Sequence, residues 1–291
     1  MSKLTNIDAL VIDLQDVGCR FYTYLATVGY CLEECAKAGV EVVVLDRPDP
    51  IGADRFEGPL LDEGKSAFVG YHQIPIRTGM TIGECARMFN EERGIGAKLT
   101  VLPLEGYARD LWYEETGLPW IGPSPNIRSV DAAALYPGVC LLEFTNISVG
   151  RGTDHPFEWI GAPWMDGAAV ARALSARAIP GVAISPCDDE PKSSAFAGLA
   201  CHGVRITITD RRALRPVTLG FEIACALRDL HPKDWDRKRF PELLGNAATL
   251  ALFERGAAPA AIESSWSAGL AEFAERRARF LLYGDPNKKP K

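Results

Sequence analysis

Short apolar runs alternate with helical-period segments through the first hundred residues of the chain. Thr81 and Glu84 have the spacing of a capping box, and Gly39 is placed to end a helix. The pattern predicts strands and helices in alternation, at 9–13, 24–38, 41–46, 81–92 and 98–103. This order favours an α/β fold with a parallel, doubly wound sheet, and we expect one further strand at Val139–Glu143.

The order of the predicted helices and strands changes after about residue 163. Helical and strand-like segments then follow in mixed order, and 259–283 is helical and amphipathic, which indicates a smaller α+β unit. We therefore expect two domains, at 1–163 and 164–291.

Composition excludes several classes of protein. Hydrophobic residues make up 47% of the 291 residues, and the net charge of −6 argues against binding to nucleic acid. No apolar stretch approaches the roughly 20 residues of a membrane span, and no signal peptide is recognisable, so we expect the chain as written to be cytoplasmic. The eight cysteines lie among apolar neighbours without metal-ligand spacing, and we expect free thiols and no metal.

Acidic residues stand at the predicted strand ends. Asp13 and Asp16 follow the first strand, Asp46 ends the second, and Glu143 ends the strand expected at 139–143. Carboxyl ends of parallel strands meet at one edge of a sheet, where ligands bind. Paired carboxylates in a shared cleft favour glycoside hydrolysis, in which one group is the acid and the other a base or nucleophile.

Arginines and aromatic residues lie in the same loops as these acids. Arg20, Arg47 and Arg151 could recognise a carboxylate or phosphate, and Tyr22 and Tyr24 could line a sugar-sized pocket. The alternative is that the arginines only neutralise the acids in a salt-bridged rim.

One different chemistry remains open. A strand followed by Asp13 and Leu14 is similar to the start of haloacid-dehalogenase phosphatases, but Gln15 stands where that motif has its second aspartate. The phosphatase hypothesis therefore lacks its usual acid/base. No dinucleotide fingerprint, P-loop lysine or nucleophile elbow is present.

Seven motifs in fixed order resemble one known family. They are Asp13-Leu-Gln-Asp-Val-Gly-Cys-Arg-Phe-Tyr-Thr-Tyr24, Leu45-Asp-Arg-Pro-Asp-Pro-Ile-Gly52, Gly79-Met-Thr-Ile-Gly-Glu84, Pro123-Ser-Pro-Asn126, Tyr136-Pro-Gly138, Glu143-Phe-Thr-Asn146 and Gly150-Arg-Gly-Thr153. Together they resemble the DUF1343 proteins, which are exo-β-N-acetylmuramidases of the NamZ type. The resemblance runs from near residue 7 to the end of the chain.

The resemblance implies a Rossmann-like domain, a smaller α+β domain, and release of N-acetylmuramic acid from the non-reducing end of peptidoglycan fragments. It implies Asp13, Asp16 and Glu143 as catalytic acids, without a cofactor or metal. Arg20 or Arg151 would bind the lactyl carboxylate of the sugar. The residues expected to bind substrate are Gln15, Arg20, Tyr22, Tyr24, Arg47, Asn126, Asn146 and Arg151.

The chain departs from the family at its N-terminus. Family members have a longer segment before the strand at 9–13, with a Gly-Pro-Glu-His-Gly motif, and are usually exported. We expect an incomplete sheet whose edge is covered by a missing segment or a partner. A sugar-binding remnant without catalysis is therefore a second hypothesis.

Overall fold

The computed structural model describes residues 4–284, and the chain divides into two compact units. Unit 1 comprises Met1–Pro123 and Ala268–Lys291, and unit 2 comprises Ser124–Ser267. The boundary expected near residue 163 falls inside unit 2, and the end of the chain returns to unit 1. The division into domains at 1–163 and 164–291 stays a prediction.

Unit 1 is built on a parallel sheet. Its first elements are β1 (Ala9–Ile12), α1 (Thr23–Ala38), β2 (Glu41–Leu45), β3 (Glu57–Leu60), β4 (Pro75–Arg77), α2 (Ile82–Glu92), β5 (Leu99–Leu102) and a 3-10 turn at Tyr113–Thr116. The parallel sheet has the order β1-β2-β5, and β3 pairs with β4 antiparallel. The predicted parallel sheet and its two helices are therefore confirmed.

Sequence periodicity accounts for these elements. In β2 the side chains of Val42 and Val44 are fully buried while their neighbours are only half-buried, as the alternation of a strand requires. Helix α1 ends at Gly39, whose φ is +71°. At α2 the capping box forms as predicted, since Thr81 Oγ1 accepts from the Glu84 NH and the Glu84 side chain accepts from the Thr81 NH.

Strand β1 is an edge of the parallel sheet within residues 4–284, where it pairs only with β2. Val11 is 57% exposed and Ile7 is 40% exposed. Apolar side chains are therefore exposed at and before this edge strand, and its cover by a further segment or a partner stays a prediction.

Unit 2 packs helices on an antiparallel sheet. Its elements are α3 (Val130–Val139), a 3-10 turn (Cys140–Leu142), β6 (Trp159–Ala162), α4 (Gly167–Ser175), β7 (Val182–Pro186), β8 (His202–Ile208), α5 (Pro216–Leu230), α6 (Phe240–Leu244), α7 (Ala247–Glu254) and α8 (Pro259–Ser264). The sheet has the order β6-β8-β7. The last helix, α9 (Ser267–Ala278), belongs to unit 1 from Ala268 onward.

The strand predicted at Val139–Glu143 is wrong. Ser129 Oγ accepts a hydrogen bond of 2.9 Å from the Ala132 NH and starts α3, which continues into the 3-10 turn. A short apolar run without periodicity fits a buried helix as well as a strand. Gly138 packs directly on the α5 backbone, so this segment joins the helices of unit 2 and Glu143 does not end a strand.

Candidate active site

Asp16, in the loop between β1 and α1, has a buried carboxyl group. Its Oδ2 accepts a hydrogen bond of 2.8 Å from the Gly18 NH, while Oδ1 has no hydrogen-bond partner within residues 4–284. Burial raises the pKa of Asp16 from 3.8 to about 8; the Gly18 NH opposes the rise and the charge of Asp49 adds to it. This shift favours the protonated form of Asp16 at neutral pH, which is the state of a general acid before proton transfer.

Asp49, in the loop after β2, is a buried acid that the sequence reasoning did not select. It is 2% exposed, and its Oδ1 accepts a hydrogen bond of 3.1 Å from the Ile51 NH. The carboxylate lies against Gly18, where a Cβ would come within 2.5 Å of Asp49 Oδ1 and where φ is +70°. Burial raises the pKa of Asp49 to about 7, against the nearby charge of Arg77. Its position after a parallel strand was the signal that could have found it.

Asp13 and Arg47 lie together at the ends of β1 and β2. Arg47 Nε and a terminal guanidinium nitrogen lie 2.7 and 2.6 Å from Asp13 Oδ1. The Asp13 side chain is 46% exposed and the Arg47 side chain is 39% exposed. An ion pair this exposed contributes at most about 1 kcal/mol, so a ligand can replace it. Gln15 joins the two loops, because its Nε2 donates to the carbonyls of Pro48 and Asp16 at 2.9 and 2.8 Å.

Arg20 is enclosed rather than exposed. It is 2% exposed, and one terminal nitrogen donates to the carbonyls of Pro59 and Ile74 at 2.9 and 3.2 Å. This arrangement ties the β1–α1 loop to the β3–β4 hairpin. Tyr22 and Tyr24 pack edge to face with their ring centroids 4.9 Å apart. The Tyr24 hydroxyl also donates to the Pro123 carbonyl at 2.8 Å.

Asp46, another acid at a strand end, has a structural role. Its carboxylate accepts hydrogen bonds from the Thr81 hydroxyl at 2.7 Å, the Gly83 NH at 2.8 Å and the Tyr283 hydroxyl at 2.5 Å. Glu84 and Arg109 form a buried ion pair beside it, at 2.8 and 2.9 Å. These contacts connect the loop before α2 with the segment that contains Tyr283. Both carboxylate oxygens of Asp46 already accept hydrogen bonds.

Glu143 and Arg151 form a bidentate ion pair in unit 2. Both guanidinium contacts of Arg151, from Nε and from a terminal nitrogen, go to the Glu143 carboxylate. Glu143 also accepts from the Cys140 thiol at 3.1 Å, and the Arg151 guanidinium lies 5.0 Å from the ring centre of Phe157. The pair is partly exposed, with 22% of the Glu143 side chain and 28% of the Arg151 side chain accessible.

The two predicted asparagines differ in their contacts. Asn146 accepts from the Asp236 NH at 2.7 Å and donates to the Asp234 carbonyl at 2.8 Å, so its amide fixes the loop before α6. Asn126 is half-buried, and its side chain makes no hydrogen bond in the part of the chain that the structure describes.

The predicted site residues are therefore distributed over both units. Seven lie in unit 1, namely Asp13, Gln15, Asp16, Arg20, Tyr22, Tyr24 and Arg47, and four lie in unit 2, namely Asn126, Glu143, Asn146 and Arg151. Among the described residues, no group of three or more His, Cys, Asp or Glu side chains is arranged to hold a metal ion, and all eight cysteines are free thiols. No helix between residues 4 and 284 has the length and apolar character of a bilayer span.

Comparisons with known proteins identify the family. The N-terminal domain model of the exo-β-N-acetylmuramidase NamZ matches residues 1–131, and its C-terminal domain model matches residues 134–283. Over 283 residues the chain is 39% identical to the peptidoglycan β-N-acetylmuramidase NamZ of Bacillus subtilis (strain 168), covering 96% of this chain and 68% of that protein.

Two solved structures share the fold. Both are DUF1343 family proteins of Bacteroides fragilis NCTC 9343. BF0371 is 30% identical with a TM-score of 0.89, covering 97% of this chain and 76% of its own. BF0379 is 31% identical with a TM-score of 0.80, covering 96% and 76%.

These matches define a family of cell-wall glycosidases with an α/β N-terminal part and a distinct C-terminal part. The chain belongs to this family, the NamZ exo-β-N-acetylmuramidases, as its motifs predicted. The comparisons give no support to the phosphatase alternative.

Proposed function

We propose that the chain is a glycoside hydrolase that releases N-acetylmuramic acid from the non-reducing end of peptidoglycan fragments. The observation that carries the proposal is the match of both NamZ domain models across nearly the whole chain, together with 39% identity to a peptidoglycan β-N-acetylmuramidase.

Asp16 is the general acid in this proposal. Its burial and raised pKa support the assignment, because a carboxyl group that stays protonated at neutral pH can donate a proton to a departing sugar oxygen. Asp13 is the exposed carboxylate of the same loop, and Arg47 orients it. A substrate that takes Arg47 as a partner would free Asp13 to act as base or nucleophile.

Within unit 2, Arg151 and Asn126 are the candidates for binding a saccharide. Arg151 binds the lactyl carboxylate, because its guanidinium is partly exposed while that of Arg20 is enclosed and bound to carbonyls. Glu143 holds Arg151 in place and is available as a further carboxylate. The unbonded amide of Asn126 supports a role in binding sugar hydroxyl or acetamido groups.

A chromogenic β-N-acetylmuraminide tests the function directly. We expect release of the chromophore from this substrate and much slower release from the matching β-N-acetylglucosaminide, which lacks the lactyl carboxylate. Asp16→Asn should lower kcat by about two orders of magnitude or more, as expected for loss of an acid catalyst. Asp8→Asn, at an exposed acid of the same unit, should leave kcat unchanged.

A well-folded protein that binds N-acetylmuramic acid without turnover would support the sugar-binding alternative and overturn the hydrolase proposal. Full activity of Asp16→Asn would remove the assignment of the acid while leaving the function in place.

A further inference from the structure

Asp16 and Asp49, which belong to different loops of unit 1, both contact Gly18. The Gly18 NH donates a hydrogen bond of 2.8 Å to Asp16 Oδ2. On its Cα side, a Cβ at Gly18 would lie only 2.5 Å from Asp49 Oδ1 and 2.8 Å from Asp49 Oδ2. Because glycine has no side chain, position 18 places no side chain between the two carboxyl groups. The loop after β1 and the loop after β2 therefore bring two acids together around one residue.

Each of these carboxyl groups has a buried oxygen without a donor. Asp16 Oδ1 and Asp49 Oδ2 form no hydrogen bond within residues 4–284. A carboxylate oxygen in this state is costly, and a second negative charge beside it adds to the cost. The two acids therefore titrate as a coupled pair, and the pair is expected to keep one proton close to neutral pH.

Arg77, in β4, brings a buried positive charge to the turn that contains Asp49. Its backbone forms an isolated bridge with Cys19 in the β1–α1 loop. Its guanidinium donates to the carbonyls of Ile51 and Gly52, and the Ile51 NH donates to Asp49 Oδ1 at 3.1 Å. An acid and a cation are therefore held by the same turn.

The groups that oppose burial differ between the two acids. Burial raises the pKa of Asp49 to about 7, and the charge of Arg77 is the largest influence in the opposite direction. Burial raises the pKa of Asp16 to about 8, the Gly18 NH is the largest opposing influence, and the charge of Asp49 adds to the rise. The surroundings therefore favour ionisation of Asp49 before that of Asp16.

Further titratable groups face the pair from the elements around it. Burial raises the pKa of the two thiols and of the tyrosine among them, so these groups are uncharged at neutral pH. Arg109 strengthens the effect of Arg77 on Asp49, Asp54 opposes it, and the charge of Arg277 also interacts with Asp49. The complete set is Cys19, Asp54, Cys85, Tyr107, Arg109 and Arg277.

We propose that Asp49, kept ionised by Arg77, is a positioning residue that holds the proton on Asp16 until that proton is transferred. This inference rests on the proposed function, in which Asp16 donates the proton to the departing sugar oxygen. In the transfer the O–H bond of Asp16 breaks, a new O–H bond forms on the sugar oxygen, and Asp16 is left ionised beside Asp49. Repulsion between the two carboxylates then favours the return of a proton from water to Asp16.

Carbon-13 NMR of the aspartate carboxyl groups tests the pair without any substrate. In the wild type, Asp16 should titrate at about pH 8 and Asp49 at about pH 7. Asp49→Asn should lower the midpoint of Asp16 by about one pH unit, because a neighbouring negative charge is removed. Asp49→Ser keeps an acceptor for the Ile51 NH and should give the same shift. Asp8→Asn makes the same change in net charge at an exposed acid and should leave the midpoint unchanged.

The pH profile of turnover is a second readout, which a purely structural role would not shift. With the chromogenic muraminide, Asp49→Asn should move the basic limb of kcat/KM to lower pH by about one unit. At about pH 5.5 Asp16 is protonated in both proteins, so kcat/KM should agree within about threefold. A basic limb that stays in place in an active variant would overturn the role of Asp49 in turnover.

The NMR titration has equally definite outcomes. An Asp16 midpoint that stays in place or rises in the Asp49 variants would overturn the proposal, as would a wild type in which Asp49 titrates above Asp16. If neither variant folds, the order of the two midpoints in the wild type decides, because Asp49 must ionise first. A lowered midpoint in a protein without turnover would uphold the acid pair while the hydrolase proposal fails.

Discussion

Asp16→Asn should change the way in which the stability of the protein depends on pH. Burial raises the pKa of Asp16 from 3.8 to about 8 in the folded protein. The folded protein therefore keeps a proton that the unfolded chain releases once the pH exceeds 3.8, so the free energy of unfolding falls as pH rises from there to about 8. Above that pH both states are ionised and the dependence on this group ends.

The magnitude follows from the difference between the two pKa values. One pKa unit corresponds to about 1.4 kcal/mol, so at pH 7 the buried acid lowers the stability by roughly 4 kcal/mol relative to acid conditions. Asparagine cannot ionise, and its carbonyl can still accept from the Gly18 NH. Its amide NH₂ would occupy the place of Oδ1, which has no hydrogen-bond partner within residues 4–284, at a cost of about 1–3 kcal/mol.

The wild type and Asp16→Asn should therefore have stability curves that cross. The variant should be the less stable protein at about pH 4 and the more stable one at about pH 8, with the crossing between about pH 4.5 and pH 6. Urea unfolding followed by fluorescence of the six tryptophans measures this at a series of pH values. Asp8→Asn replaces an exposed acid and should give a curve parallel to that of the wild type.

Parallel curves for Asp16→Asn and the wild type would refute the claim that Asp16 is protonated in the folded state. The general-acid proposal would then lose its main support. Activity and stability should respond oppositely to Asp16→Asn, because the variant should lose turnover at neutral to alkaline pH, where it should resist unfolding better than the wild type.

Three further substitutions test other parts of the structure. Gly18→Ala should destabilise the protein by about 2–4 kcal/mol in thermal unfolding, because φ is +70° and the new Cβ would meet Asp49 Oδ1 at 2.5 Å. Glu84→Gln should cost about 3–5 kcal/mol by calorimetry, since it leaves the Arg109 charge buried without its partner. In the wild type, burial lowers the pKa of His72 against the opposing effect of Glu92, so stability should fall as pH drops below 6.5. Urea unfolding should show a smaller acid-side loss for His72→Gln.

Each of these three has an outcome that contradicts it. An unchanged melting temperature for Gly18→Ala would mean that the loop can relax away from Asp49. A loss below about 1 kcal/mol for Glu84→Gln would place the ion pair in a more solvated setting than its burial indicates. Identical acid-side slopes for His72→Gln and the wild type would show that His72 protonates as easily in the folded protein as in the unfolded chain.

The fold of unit 1 was largely predictable because local signals agree with one another. Alternating valines mark β2, a capping box begins α2, and Gly39 ends α1, so each element is specified within a few residues. The segment at 139–143 lacked such a signal. Its side chains are apolar without a period, and its helical state depends on packing against α5, which lies some 80 residues further along the chain.

The candidate site was predictable in its location but less so in its roles. Asp13, Gln15, Asp16 and Arg47 lie at the ends of β1 and β2, as the rule for parallel sheets requires. Sequence alone could not show that Arg20 is bound to backbone carbonyls, because it does not distinguish an arginine in a ligand pocket from one in the protein interior. Asp49 was missed because it stands between two prolines in a predicted loop, although its position after β2 was a usable signal.

Burial, rather than residue type, separates the acids of unit 1 into different roles. Asp46 accepts donors on both carboxylate oxygens, and Asp13 is exposed with a cation beside it. Asp16 and Asp49 each retain a buried oxygen without a hydrogen-bond partner among the described residues, and both contact Gly18. A carboxyl group in that setting lowers its free energy by keeping a proton. The loop therefore places an acid that favours its protonated form close in sequence to an exposed one, and under the proposed function these would be the two different carboxyl groups that a glycosidase uses.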